Sequence, residues 1–251
     1  MKLWDHENEE RLVYYPAKNK KSDAAAVIFP GGAYAFLADH EGRGYAEFLN
    51  GLGYDAFVCL YRVAPHRFPL PLLDARRAMR LVRANAGKTG IDPQKIAAMG
   101  SSAGGSLVTL LSTCLDPLPG EDQDGLRALP FLPDAQILCY PVVTLKDDAV
   151  THTDSRFNLF KDDLAAARVL SPELHVTAQT PPAFLWHTAD DPGVSVFNTL
   201  LYASALHTAG VGVECHIFPH GDHGLGLAEG DPVVGAWREL LARFLYRLFS
   251  R

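Results

Sequence analysis

Short apolar runs alternate along the chain with longer segments whose apolar residues recur every three or four positions. The short runs have the length and composition of buried strands, and the longer segments have the spacing of amphipathic helices. Strands are predicted over residues 12–15, 25–30, 56–61, 95–99, 136–140, 183–187 and 214–218. Helices are predicted over residues 43–52, 72–86, 104–115, 196–209 and 234–249. This alternation is typical of an α/β fold with a mostly parallel central sheet and helices on both faces.

Two segments interrupt the alternation. Residues 116–133 are rich in proline, glycine and acidic residues, and we predict a loop there. Residues 146–182 are polar and contain one weak helical pattern at residues 162–170. A long insertion between core strands is uncommon unless it has a function of its own. We therefore expect residues 1–251 to form one α/β domain with a short lid at about residues 146–182.

Composition and charge narrow the class of protein. A chain of 251 residues with 48% hydrophobic and 21% charged residues is typical of a globular domain with a sizeable core. The net charge of −6 argues against a nucleic-acid partner, and no apolar run approaches the roughly 18 residues of a membrane span. The amino-terminal residues lack the apolar core of a signal peptide. We expect a cytoplasmic protein without a membrane partner, and self-association into a homo-oligomer stays open.

The sequence gives little support for a metal or a cofactor. Gly31 and Gly32 follow a predicted strand but lack the G-x-G-x-x-G frame of a dinucleotide site. His220 and His223 lie three residues apart, without the additional carboxylates or cysteines that would complete a metal site. No pair among the four cysteines has zinc or redox spacing, so we expect buried thiols at Cys59, Cys114, Cys139 and Cys215. We expect neither a metal nor an organic cofactor.

The segment from Gly100 to Gly105 contains the G-x-S-x-G pattern, with Ser102 as its serine. A serine becomes an accessible nucleophile at a sharp, strained turn from strand to helix, where glycines on either side remove colliding Cβ atoms. A predicted strand precedes the pattern and a predicted helix follows it, as such a turn requires. Ser101 does not fit, because Met99 stands where its glycine would be. Ser102 is therefore the predicted nucleophile.

A serine nucleophile needs a base to take its proton and an acid to orient the base. Such groups are expected at the carboxyl ends of parallel strands. After the sixth predicted strand, Asp191 is the favoured acid because a Pro-Gly turn follows it, and Asp190 is the alternative. After the next strand His223, which lies in a glycine-bearing turn, is favoured over His220. The order Ser, Asp, His is that of α/β-hydrolases.

The oxyanion of a tetrahedral intermediate needs preorganised hydrogen-bond donors. One predicted donor is the N–H of Ala103, at the start of the helix that follows the nucleophile. The glycine loop at residues 30–34 follows the second predicted strand, and its Gly32 and Ala33 are the other predicted donors. Tyr34 and Phe36, in and just after this loop, are predicted to line the substrate pocket.

In these motifs the chain resembles the esterase branch of the α/β-hydrolases, and within that branch the small acetyl-esterase and acetylxylan-esterase-like enzymes. The matching segments lie at residues 29–34, 39–42, 61–65, 100–105, 186–191 and 218–225. The resemblance implies the α/β-hydrolase fold and hydrolysis of small acyl esters, with Ser102, Asp191 and His223 as a catalytic triad. Pro30 and Ala33 replace the His and third Gly of the common H-G-G-G loop, which changes the pocket wall beside the donors.

We therefore expect a serine carboxylesterase whose partner is a small-molecule ester with a short acyl group, acetyl in particular. The resemblance suggests an acetylated sugar as the alcohol. Three other functions stay open: a prolyl-oligopeptidase-type peptidase, a formamidase-like amidase, and a non-catalytic binding module on the same fold. Histidines outside the favoured loop are interpreted as surface or core-edge residues: His40, His66, His152, His187 and His207.

Overall fold

A computed structural model describes residues 1–121 and 124–250. Its strands are β1 (Leu12–Tyr15), β2 (Ala25–Phe29), β3 (Asp55–Cys59), β4 (Ile96–Ser101), β5 (Ala135–Cys139), β6 (Ala183–Thr188) and β7 (Val213–Phe218). They form one seven-stranded sheet in the order β1-β3-β2-β4-β5-β6-β7. β1 pairs antiparallel with β3, and the other neighbouring pairs in the described residues are parallel. The predicted α/β fold with a mostly parallel sheet is confirmed.

Helices cover both faces of this sheet. They are α1 (Asp39–Leu52), α2 (Leu70–Thr89), α3 (Ala103–Thr113), α4 (Thr153–Phe160), α5 (Leu164–Val169), α6 (Phe197–Thr208) and α7 (Trp237–Phe249). One buried apolar cluster packs α1 and α7 on one face, and a second packs α2, α3 and α6 on the other. In the first cluster, Trp237 stacks on Trp186 with ring centroids 5.3 Å apart. Because both faces are covered, the central strands β2, β4, β5 and β6 are buried along their whole length and are mostly apolar.

The segment at residues 146–182 contains more regular structure than its sequence predicts. Besides α5, which lies within the predicted helical pattern, it contains α4 and a 3-10 turn at Pro172–Leu174. The inward face of α4 is half polar, so it shows no apolar stripe in the sequence; its buried residues are Ser155, Arg156, Leu159 and Phe160. Residues 122 and 123 of the loop predicted at 116–133 lie outside the described residues.

The register of the parallel strands brings the predicted site loops together at the carboxyl edge of the sheet. Phe29 of β2 pairs with Gly100 of β4, so the glycine loop after β2 emerges next to Ser102. Further along the sheet, Thr188 of β6 pairs with Phe218 of β7. The loops that carry the candidate aspartates and histidines therefore also emerge side by side.

Glycines allow the turn after β4 to pack backbone against backbone. A Cβ atom added at Gly104 would lie 1.9 Å from the carbonyl oxygen of Phe29, and one added at Gly100 would lie 2.3 Å from the carbonyl oxygen of Gly104. Both oxygens belong to backbone that cannot shift without disturbing β2 or α3. The turn therefore excludes a side chain at either position.

Gly104→Ala is expected to lower the free energy of unfolding by about 1–3 kcal/mol, because the new methyl group overlaps the β2 backbone. Gly87→Ala is the matched control: Gly87 lies within α2, and an added Cβ atom there meets nothing within 4 Å. Alanine should raise stability there by about 0.5–1 kcal/mol through its higher helix propensity. Urea denaturation measures both changes, and equal stabilities of the two variants would contradict this account of the turn.

Candidate active site

Ser102 lies at the turn between β4 and α3, where its backbone has φ 51° and ψ −119°. This conformation is strained for a residue with a side chain, and persists only where its surroundings hold it. The Ser102 N–H donates to the Cys139 carbonyl at 3.0 Å. The Ser102 carbonyl accepts from the N–H groups of Ser106 and Val142, each at 3.0 Å. The chain on both sides of the turn thus fixes the direction of the Ser102 side chain.

His223 links Ser102 to Asp191 through two hydrogen bonds. Its Nδ1 lies 2.8 Å from Oδ2 of Asp191, and its Nε2 lies 2.8 Å from Oγ of Ser102. An ionised carboxylate can only accept, so Nδ1 carries the proton and donates to Asp191. In the neutral ring Nε2 is then free to accept from the Ser102 hydroxyl. The structure thus brings together the three side chains that the sequence favoured.

Asp191 is a buried carboxylate with a full set of donors. Its side chain is 1% exposed, and Oδ1 accepts from the N–H groups of Gly193 at 2.8 Å and Val194 at 2.9 Å. Oδ2 receives His223 and also lies 3.2 Å from Nε2 of His187. Burial by itself would raise the pKa of Asp191, but the hydrogen bonds from His187, His223 and the Val194 amide outweigh it and hold that pKa well below its usual range.

Asp190 and His220, the alternatives kept from the sequence, bind each other and not Ser102. Nδ1 of His220 lies 2.7 Å from Oδ2 of Asp190, and the Gly221 N–H donates to Oδ1 at 2.9 Å. Both side chains are largely in solvent, at 53% exposure for Asp190 and 84% for His220. This second acid–histidine pair joins the same two loops at their surface. An exposed pair of this kind contributes little to stability.

His187, which the sequence analysis interpreted as a surface or core-edge residue, touches the site. It is completely buried, and its Nδ1 accepts from the Thr199 hydroxyl at 2.7 Å. Its Nε2 lies 3.0 Å from the Val194 carbonyl, besides its contact with Asp191. The Nε2–H therefore donates toward the loop that carries the acid. Its place in a buried strand, four residues before Asp191, was the available signal.

The glycine loop after β2 lies directly beside Ser102. A Cβ atom added at Gly31 would be 3.1 Å from Cβ of Ser102. Three successive residues then have positive φ: 124° at Gly32, 54° at Ala33 and 57° at Tyr34. In the described parts of the chain, the N–H groups of Gly32 and Ala33 donate to no other group. A strained segment with free donors next to a nucleophile is the arrangement expected of an anion site.

Ala103 is the first residue of α3, where a helical N–H has no partner within the helix. Like the amides of Gly32 and Ala33, the Ala103 amide beside Ser102 has no backbone partner among the described residues. The helix dipole adds a favourable interaction with negative charge at this end of α3.

Tyr34 and Phe36, both predicted to line the substrate pocket, lie in different environments. Tyr34 is 1% exposed, and its ring packs edge-on against Tyr61 with centroids 6.0 Å apart. Phe36 is 61% exposed. The structure therefore leaves the Phe36 side chain accessible to a bound molecule and buries the Tyr34 side chain against Tyr61.

Asn158 of α4, which no sequence pattern singled out, anchors the glycine loop. Its Nδ2 donates to the Ala33 carbonyl at 2.9 Å. Arg67 holds α4 in turn, since its Nη1 donates to the carbonyls of Phe157 at 2.6 Å and Asn158 at 2.9 Å. The insertion at residues 146–182 thus contacts the site through α4.

The described residues contain no group of three or more His, Cys, Asp or Glu side chains close enough to hold a metal ion. Within the same residues, no helix combines the length and the apolar character needed to cross a bilayer.

A family model described as the alpha/beta hydrolase fold matches residues 27–227 of the chain. Endo-1,4-beta-xylanase B of Butyrivibrio fibrisolvens is 35% identical over 234 residues, and an acetylxylan esterase of Xylanibacter ruminicola is 31% identical over 233 residues. Each alignment covers 90% of this chain, but it covers 36% of the xylanase and 45% of the esterase. The chain therefore spans less than half the length of these curated relatives.

Among solved structures, an acetyl ester-xyloside bifunctional hydrolase from Caldicellulosiruptor lactoaceticus is 40% identical to this chain, with a TM-score of 0.90. The superposition covers 98% of this chain and 94% of that one. The similarity to this protein thus extends over nearly the whole of both chains.

The lowered pKa of Asp191 predicts how stability depends on pH. A carboxyl whose pKa is lower in the folded chain stabilises the fold above its unfolded pKa, about 3.9, and this contribution is lost as pH falls toward the folded pKa. Asp191→Asn should therefore be less stable than the wild type near pH 7, and the difference should shrink below about pH 4. Urea denaturation at several pH values measures this difference in the free energy of unfolding.

Asp190→Asn is the control for this titration, because its exposed carboxylate should give a much smaller difference at every pH. A deficit of Asp191→Asn that grew on acidification would contradict the pKa assignment.

Proposed function

The chain belongs to the alpha/beta hydrolase family, and from this we propose that it is a carboxylic ester hydrolase in which Ser102 forms an acyl-enzyme. The observation that carries the proposal is the continuous chain of hydrogen bonds from Ser102 through His223 to Asp191, with both links at 2.8 Å. Nucleophile, base and acid are then in the arrangement that activates a serine hydroxyl. The esterase and hydrolase names of its relatives support the same class of reaction.

In the proposed first step, Oγ of Ser102 attacks the ester carbonyl carbon while Nε2 of His223 takes the hydroxyl proton. Asp191 stabilises the imidazolium that forms, and the amides of Gly32, Ala33 and Ala103 bind the oxyanion. The intermediate collapses, the C–O bond to the alcohol breaks, and Nε2 returns its proton to the leaving oxygen. Water then attacks the acyl-enzyme with His223 again as the base, which releases the carboxylic acid and restores Ser102.

We propose a short acyl group and an acetylated sugar as the substrate class. The matched structure is named for acetyl ester and xyloside hydrolysis, and one curated relative is named an acetylxylan esterase. The contact between Asn158 and the Ala33 carbonyl supports the acyl preference, because it brings α4 close to the loop beside Ser102. In this proposal residues 146–182 form a small lid within a single domain.

Ser102→Ala is expected to lower kcat for p-nitrophenyl acetate by about four orders of magnitude, because the nucleophile is lost. Ser101→Ala is the matched control, since Ser101 is the neighbouring buried serine and its hydroxyl donates to Tyr45 instead. It should keep most of the turnover. A fluorophosphonate probe should label the wild type and Ser101→Ala but not Ser102→Ala. A wild type that resists the probe would favour a non-catalytic binding module.

The acyl preference predicts a higher kcat/KM for p-nitrophenyl acetate than for the octanoate, because in this proposal α4, bound to the glycine loop through Asn158, limits the space for the acyl chain. Release of acetate from acetylated xylo-oligosaccharides should exceed hydrolysis of an acetanilide, which reports amidase activity, and of a prolyl peptide substrate. Faster cleavage of the octanoate, or of the amide, would overturn the proposed substrate class.

A further inference from the structure

Glu41 is a buried carboxylate that the proposed mechanism does not use. It lies in the first turn of α1 and is 2% exposed. Burying a charged group is costly unless hydrogen bonds replace its water. The two oxygens of Glu41 have different partners: Oε2 accepts from the Gly31 N–H at 2.8 Å, and Oε1 accepts from the Tyr140 hydroxyl at 2.6 Å. The first partner belongs to the loop that carries the proposed oxyanion donors.

Tyr140 extends this contact to the loop that carries His223. Its hydroxyl, which donates to Glu41, also accepts from the Gly226 N–H at 2.9 Å. Its ring packs edge-on against the His223 imidazole, with centroids 5.1 Å apart. Burial, and secondarily the nearby Glu41 charge, raise the pKa of Tyr140 well above its usual value, so the hydroxyl keeps its proton and remains a donor.

We propose that Glu41 is a positioning residue. Through Tyr140, it holds the glycine loop at residues 30–34 and the loop that carries His223 at a fixed separation. This inference rests on the proposed esterase function. The glycine loop packs tightly against both Glu41 and the end of β4, since a Cβ atom added at Gly31 would lie 2.4 Å from Oε2 and 2.9 Å from the Ser101 carbonyl oxygen. The amides of Gly32 and Ala33 follow directly, so their direction depends on where Gly31 is held.

The chemistry of the two partners favours a carboxylate. A backbone N–H and a phenolic O–H both donate to the Glu41 side chain, and an ionised carboxylate offers an acceptor oxygen to each. A glutamine of the same shape can keep the Gly31 bond through its one acceptor oxygen, but its NH₂ group then faces Tyr140, whose hydroxyl must turn and accept. Glu41→Gln therefore replaces two charge-assisted hydrogen bonds by one neutral bond and one reversed bond, which weakens the link between the loops while the packing volume is kept.

Small displacements of oxyanion donors reduce turnover more than binding, because these donors interact most strongly with the transition state. Complete loss of one donor costs about 10²–10³ in kcat, so a displaced donor should cost roughly 10–10². Glu41→Gln is expected to lower kcat for p-nitrophenyl acetate by that factor while KM changes little. Binding of a trifluoromethyl ketone transition-state analogue should weaken by a similar factor.

Tyr140→Phe tests the second half of the link, because it keeps the ring against His223 and removes the hydroxyl. It should lower kcat as well. The double variant with Glu41→Gln should lose less than the product of the two single effects, because both substitutions remove one connection. Tyr45→Phe is the matched control: its hydroxyl contacts Ser101 at 2.9 Å and Tyr140 at 3.2 Å but neither loop. It should lower the melting temperature and leave kcat nearly unchanged.

Hydrogen–deuterium exchange separates failure of this proposal from failure of the esterase proposal. In Glu41→Gln, exchange should become faster in peptides that cover residues 30–37 and 219–228, whatever substrate the protein hydrolyses. Absence of ester hydrolysis by the wild type would overturn the esterase proposal. Unchanged exchange in both loops, an unchanged kcat in Glu41→Gln, or an equal kcat loss in Tyr45→Phe would overturn the positioning role.

Discussion

At Ser102 the backbone is held at a positive φ by hydrogen bonds that arrive from β5, from α3 and from the chain after β5. The positions of the other segments at the carboxyl edge of the sheet depend on this strained turn. It requires close packing of glycine backbone against the end of β2, and that packing brings the glycine loop beside the serine. The same contact therefore sets the direction of the Ser102 side chain, the proposed nucleophile, and brings the proposed oxyanion donors near it.

Two acid–histidine pairs cross between the loops after β6 and β7, and their surroundings differ. Asp190 and His220 meet in solvent, where an ion pair contributes little. Asp191 is enclosed and accepts from the amides of Gly193 and Val194, which fix its orientation. Burial alone would raise its pKa, but the bonds from His187, His223 and Val194 outweigh burial and lower that pKa. A general base needs an acid partner that stays ionised and immobile, and burial with full hydrogen bonding provides both properties.

Buried polar groups below the site have a common arrangement. His187 contacts the loop after β6 that carries Asp191, Glu41 contacts the glycine loop at residues 30–34, and Tyr140 contacts the loop after β7 that carries His223. Each has hydrogen-bond partners that offset the cost of its burial. Loops at the edge of a sheet are otherwise the more mobile part of a fold, so such internal anchors are a physical means of holding catalytic distances near 3 Å.

The sequence determined the α/β fold and its strand positions. A parallel sheet is buried on both faces, so its strands are apolar runs that can be recognised in the sequence. It located α1 only from residue 43, since the polar first turn with Asp39 and Glu41 lies outside the apolar pattern. It also missed α4, whose buried face includes Ser155 and Arg156. Both helices contribute groups that contact the glycine loop.

The sequence also proposed Ser102 from its glycine frame, favoured Asp191 over Asp190 as the acid and favoured His223 over His220 as the base. Only the tertiary structure shows that the fold buries the Asp191 side chain and leaves that of Asp190 in solvent with His220. The environments of Glu41, His187 and Tyr34 could not be predicted from the sequence either, because the groups that bury them and bind them come from segments far apart along the chain. Local pattern thus predicts the elements whose buried face is apolar, and long-range packing decides the remaining elements and which side chains meet.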